Sequence, residues 1–224
     1  MSEAVDEYLH FSQLINSELA LMMLDSEMNS ENYNRQVVWT QILQQGVQIR
    51  GYRFPGKSRG VISGMIVKDE LETTLTYNMS MPINHQNFTI SHEMTHFLHH
   101  MKSGTGMFSD TKDCLEYSPV EMIQEFQANI GASAILIPDA VLIAELKKGT
   151  APVHLSKRYG ISEAALYMRL AQTMHTHIGS SWDLSRKSAS RMVNTNATGS
   201  LRTLGHNWEK IAMYTDPFYE LLAI

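Results

Sequence analysis

His92-Glu93-Met94-Thr95-His96, flanked by Asn87-Phe88-Thr89-Ile90-Ser91 and Phe97-Leu98-His99-His100, is the stretch that decides how this chain folds. Read as a helix, it sets His92 and His96 one turn apart on one face, so both imidazoles can reach a single cation. Glu93 points to the adjoining face, where its carboxylate can take a proton from a water at that cation. No proline or glycine interrupts residues 88–102, and a helix that holds ligands has to be rigid. The polar residues between Asn87 and Ser91 are suited to capping, which puts the helix start in their neighbourhood. Phe97 and Leu98 carry the apolar pattern on towards a core.

H-E-x-x-H is the layout of a zinc hydrolase, but a catalytic zinc takes three protein ligands and keeps one position open. The third ligand must come from another element. Ser118-Pro119-Val120-Glu121 reads as a capping box with proline at the first helical position. The helix it opens should run over about 119–136 and stop before Pro138. Capping occupies Glu121, which leaves Glu125, one turn further in, as the candidate ligand. Asn129 lies another turn along the same face. Gly131, Ala132, Ser133 and Ala134 are small enough to let this helix approach a neighbour closely.

The run Asn-Phe-Thr-Ile-Ser-His-Glu-Met-Thr-His-Phe-Leu-His-His over 87–100, followed by Glu125-Phe-Gln-Ala-Asn129 and Leu136-Ile-Pro138, resembles the ImmA/IrrE family of metallo-endopeptidases. That family pairs an F-T-x-A-H-E-x-x-H segment with a later E-x-x-A-N helix ending in a leucine- and proline-containing stretch. The resemblance covers about 85–138 and, more weakly, extends to about 173. It implies metal ligands His92, His96 and Glu125, Glu93 as catalytic base, and a peptide substrate. It further implies that the substrate is a helix-turn-helix transcriptional repressor, cleaved to switch on phage, mobile-element or stress genes. The chain departs from the pattern at Thr95, where glycine is common, and at Asn87, where a basic residue is common. Zinc is the expected ion, although an N/O donor set of this kind also accepts manganese or cobalt.

Working outward, the fold class reads as α+β: a zincin-like core with a small antiparallel sheet packed on the active-site helix, followed by a helix-turn-helix-like segment. Residues 3–24 and 34–45 read as amphipathic helices, broken between Asn29 and Asn34. Val47 to Phe54, Val61 to Val67 and Leu71 to Tyr77 read as strands, with Pro55 to Gly60 as a turn. One of these strands should align a substrate backbone by β-augmentation. The domain division is a metallopeptidase domain over 1–148, a helix-turn-helix-like segment over 149–180, and a linker with a C-terminal helix over 181–224.

Val153 to Leu170 has helix-turn-helix spacing, with Gly160 at the turn and Ser162 capping the second helix. Its would-be recognition helix opens on Glu163, Ala164 and Ala165 and offers only Arg169 as a base, which argues against direct DNA binding. A net charge of −5 points the same way. His85, His154, His175, His177, Tyr117, Tyr159 and Tyr167 are all of a type that can stabilise an oxyanion, and none is singled out. His99 and His100 extend the active-site helix in packing or supporting roles rather than as ligands. Ser185 to Gly199 is rich in Ser, Asn, Thr and Arg and reads as a linker or long loop. Trp208 to Leu222 should dock as a terminal helix.

Hydrophobic residues make up 43% of the 224 residues, ample for a core. The single Cys114 excludes an intramolecular disulfide. Acids at Glu3, Asp6 and Glu7 with no basic run are unlike a signal peptide, and no apolar run is long enough for a membrane span, so a cytoplasmic location is expected. The function that fits is a zinc-dependent endopeptidase. The competing readings are a metal-binding regulator without proteolysis and a DNA-binding transcription factor with a degenerate zincin core.

Overall fold

The computed structural model describes residues 3–101, 106–111, 119–195 and 197–223, apart from the side chains at 57, 109–111 and 119–121. The capping box of Ser118 and Glu121, Cys114 and Tyr117 therefore lie outside the described residues. The chain separates into two compact units, one of residues 36–132 and one of residues 1–35 together with 133–224.

The first unit holds the sheet. Strands β1 (Val47–Tyr52), β2 (Ile62–Lys68), β3 (Thr73–Asn78) and β4 (Gly106–Thr111) lie in the order β1-β3-β2-β4. β2 and β3 form an antiparallel hairpin, closed where Asp69 Oδ1 accepts from the amides of Leu71 and Glu72 at 2.8 Å each. Ile66 and Leu75 pair across it, both fully buried. β1, however, runs parallel to β3, Val47 opposite Thr73. The expectation of an antiparallel sheet is therefore corrected to a mixed one. Alternation reports which side chains face inward but carries no strand direction. Residues 53–61, including a 3-10 turn at Gly56–Gly60, carry the chain past one strand position, which β3 then fills.

Helix α2 (Arg35–Leu43) precedes β1, and helix α3 (Ile83–His99) follows β3. α3 begins about a turn earlier than its polar residues suggest, at Pro82, whose fixed φ suits a helix entry. Buried Asn78 ties this entry down: its Nδ2 donates to the carbonyls of Arg59 and Ile62, and its Oδ1 accepts from Ser80 N. With the helix starting there, Asn87, Thr89 and Ser91 are not caps but buried side chains, and Ser91 Oγ accepts from Trp39 Nε1 of α2 at 3.1 Å. Helix α4 spans Pro119–Leu136 as the spacing predicts, and the boundary between the units falls inside it.

The second unit is helical: α1 (Glu3–Asp25), α5 (Asp139–Lys148), α6 (Pro152–Tyr159), α7 (Glu163–Thr176), α8 (Trp182–Thr195), α9 (Thr198–Thr215) and α10 (Tyr219–Leu222). α6 and α7 make the turn expected of them. Gly160 is left-handed, with φ 63°, and Ser162 Oγ accepts from Ala165 N at 3.1 Å. Arg169 of α7 is 1% exposed and ion-paired with Asp139, so the one base of the would-be recognition helix does not face solvent. The linker expected over 185–199 is instead α8 and the start of α9. Ser185, Ala189 and Met192 are its buried residues, a helical spacing hidden by their polar neighbours. Among the described residues, no single helix is long and apolar enough to cross a membrane.

Removing one member of a buried ion pair leaves the other uncompensated. Asp139→Asn is expected to destabilise the protein by about 3–5 kcal/mol, read as a lowered urea midpoint. The double change Asp139→Asn with Arg169→Met should recover part of that loss.

Candidate metal centre

α3 presents His92 and His96 to the same side, with Nε2 to Nε2 at 3.0 Å and both rings buried. From α4, Glu125 reaches in. Its Oε2 lies 3.1 Å from His92 Nε2 and its Oε1 3.3 Å from His96 Nε2. One ligand atom from each of the three residues fits within a 4.8 Å spread. The three residues named from the sequence are thus brought together.

The outer faces of the imidazoles determine what the inner faces offer. His92 Nδ1 is 3.2 Å from Asn129 Oδ1, an acceptor, so His92 carries its proton on Nδ1. His96 Nδ1 is 2.8 Å from His100 Nδ1, and His100 Nε2 is 2.8 Å from Gln127 Oε1. The glutamine oxygen accepts only, so a neutral His100 is protonated on Nε2 and accepts on Nδ1. That makes His96 Nδ1 the donor. Both imidazoles therefore direct bare Nε2 lone pairs at one point, where the Glu125 carboxylate also converges. Three lone-pair donors facing one another is a donor set that fits a divalent cation.

The electrostatics agree. Burial pulls the His96 pKa down to about 4, outweighing the Glu125 carboxylate that favours protonation, so the ring is neutral near pH 7. Burial raises the Glu125 carboxyl and the polar rings of His92 and His96 beside it lower it by more, to about 2, so it is a carboxylate near pH 7. Glu93 is fully buried on the adjoining face of α3. A Cβ on Gly64 of β2 would overlap Thr89 Cγ2 and come 3.5 Å from Glu93 Oε1, so the bare glycine lets the strand lie directly against the helix there.

A second glycine sets the approach of α4. A Cβ on Gly131 would overlap the Thr95 side chain, which is itself fixed by a 2.9 Å hydrogen bond from Oγ1 to Ser91 O. Thr95 is the position where the family pattern commonly has glycine. Here the larger residue on α3 is accommodated by the missing side chain on α4. The expectation that small residues of α4 serve close packing holds at this position.

Of the remaining candidates, His100 holds His96, and His85 Nε2 lies 3.0 Å from Ser63 Oγ. Tyr159 donates to Glu145, His175 Nδ1 lies 2.7 Å from Ser180 O, and Arg186 donates to Tyr167. His154, His175, His177, Tyr159 and Tyr167 belong to the helical unit and not to the unit holding the cluster. Sequence reading missed strand β4, whose Phe108 stacks on the His96 ring at 4.3 Å and 18°. It also missed Gln127, which sits two residues from Glu125 with no periodic signal to mark it.

Overpacking a close helix contact costs about 1–3 kcal/mol, so Gly131→Ala should lower stability by that amount. Pairing it with Thr95→Ala should recover most of the loss, a coupling that a double-mutant cycle measures. His100→Ala releases the outer nitrogen of His96 and is expected to weaken divalent-metal binding at the cluster about 10- to 100-fold, measured by competition with a chromophoric chelator.

The cluster falls within a stretch that matches known proteins. The sequence pattern of the Peptidase M78 family, the IrrE N-terminal-like domain, fits residues 45–171, more than half of the 224-residue chain. A curated relative, the radiation response metalloprotease IrrE of Deinococcus radiodurans, is 30% identical over 110 residues. Those residues make up 47% of this chain and 33% of the relative, so the chain spans about a third of that protein's length. With this match over all three clustered residues and Glu93, the chain belongs to the IrrE N-terminal-like family, the ImmA/IrrE metallopeptidases.

Proposed function

We propose that this protein is a zinc-dependent endopeptidase in which His92, His96 and Glu125 hold the ion and Glu93 is the general base. The observation that carries the reading is the convergence of two Nε2 lone pairs and one carboxylate, with the outer nitrogens hydrogen-bonded to Asn129 and His100. A zinc ion bound there supplies Lewis acidity, polarising a peptide carbonyl and drawing the pKa of water towards neutrality. The chain's own residues do the rest. Glu93 takes the proton from the attacking water and delivers it to the leaving amine. Burial beside Gly64 keeps that carboxylate out of bulk water. The outer hydrogen bonds keep both imidazoles in the ligating tautomer.

β4 pairs only with β2 among the described residues, which leaves its other edge for an extended substrate backbone. Phe108 on this strand stacks on His96, so a peptide added at that edge would lie beside the cluster. The substrate we favour is a helix-turn-helix repressor, on the strength of family kinship, and the name of the Deinococcus relative supports metalloprotease activity. The DNA-binding alternative has less support, because Arg169 is spent on Asp139 and Arg158 on Glu145 at 2.7 Å.

Co-expression with the repressor encoded beside this gene, comparing wild type with Glu93→Gln, tests the reading. Loss of a general base typically costs about 10²–10⁴ in rate, so a cleavage product is expected with the wild type and not with the variant, while zinc content stays equal. Full cleavage by Glu93→Gln would overturn the assignment of the base. A wild type that holds zinc yet cleaves neither the repressor nor an unstructured peptide library would favour a metal-binding regulator.

A further inference from the structure

The helical unit contains a cavity that the metal centre does not use. α1, the start of α5, the end of α7 and the second half of α9 enclose about 400 Å³, within the range of small-molecule sites. Its wall is mainly apolar and aromatic: Leu9, Ile211 and Ala212 line it, and the rings of Trp208 and His177 lie 5.4 Å apart at one side.

The polar groups indicate which occupant. The lining holds two carboxylates, Asp139 and Asp216, and no lysine or arginine. Asp139 is already neutralised from behind by buried Arg169. Asp216 accepts from Phe218 N at 2.9 Å but is in no ion pair among the described residues. Burial raises its pKa, with Asp139 pushing the same way against the Phe218 amide, so a cation beside it would be favoured. His177 adds no positive charge, because burial lowers its pKa, and its buried Nε2 meets no hydrogen-bond partner among the described residues. Asn16 Oδ1, which accepts from Asp139 N, and the carbonyl of Thr215, which accepts from Gln13, add further acceptors near the carboxylates.

We propose that this cavity binds a small organic cation: an ammonium group paired with Asp216, carried on a flat apolar body that lies along Leu9, Ile211 and His177. Acceptor-rich polar groups select a donor, and the apolar wall selects the body. The site is independent of peptide hydrolysis.

Isothermal titration of the full chain with tryptamine, with tryptophol as its neutral analogue and with indole-3-propionate as its anionic one, tests the inference. Tryptamine is expected to bind at least about tenfold more tightly than tryptophol, and indole-3-propionate most weakly. Asp216→Asn should bring tryptamine and tryptophol to the same affinity. Ala212→Phe should abolish binding by filling the cavity, with circular dichroism confirming the fold. If that variant does not fold, Thr215→Trp at the exposed rim serves the same purpose. Equal affinity for all three probes, no binding up to millimolar concentration, or affinity unchanged in the filled variants would overturn the proposal.

Discussion

Two imidazoles on one helix and a carboxylate on another must bring their tips to about 3 Å, and that requirement governs the sheet-bearing unit. Packed helix axes ordinarily lie about 8–10 Å apart, and glutamate is a short arm with which to span the gap. α3 meets a missing side chain on both sides, Gly64 on β2 and Gly131 on α4. The first contact lies at Thr89 and Glu93, the second at Thr95, so the two glycines fix how α3 is rotated about its axis. That rotation aims His92 and His96 at Glu125 while Glu93 faces the sheet. A methyl group at either glycine would turn or displace the helix, and with it every group in the cluster.

Position alone does not make imidazoles into ligands; their protons have to be elsewhere. Asn129 and Gln127 accept, each from α4, and the proton placement follows from those two acceptors through His92 directly and through His100 to His96. The helix that supplies Glu125 thus also sets the tautomers of His92 and His96. Burial then keeps His96 neutral. Packing, hydrogen bonding and desolvation act in the same direction here, which is how a site is organised before its ion arrives.

The cluster was legible in the sequence because helical spacing is a rigid rule: His92 and His96 four apart, and the α4 span bounded by Pro119 and Pro138. What spacing does not encode was lost. β1 pairs in parallel with β3, and the alternation of Val47 to Tyr52 would look the same in either direction. β4, read as Gly-Met-Phe-Ser-Asp-Thr, has neither a β-branched run nor a clean alternation, so the strand that carries Phe108 gave no signal. α8 buries Ser185, Ala189 and Met192, a stripe too small and too polar to stand out from its Ser, Asn and Arg neighbours. Long-range pairs such as Thr95 with Gly131 are invisible to any local pattern, and so are the walls of the cavity, whose residues 9, 177, 208 and 216 share no motif.

The helix-turn-helix likeness shows why local geometry and function come apart. α6 and α7 have the turn glycine, the capping serine and the spacing of a DNA reader. A recognition helix works, however, through cations offered to phosphate and base edges, and α7 buries its one arginine while the half-exposed Arg158 of α6 is paired with Glu145. Arg169 balances Asp139, while Arg158 lies against Glu145, which Tyr159 and Thr150 also contact. Freeing Arg169 for a phosphate would leave the Asp139 carboxylate without its buried partner, at a cost of about 3–5 kcal/mol. The same pairs that stabilise this unit therefore count against nucleic acid as its target.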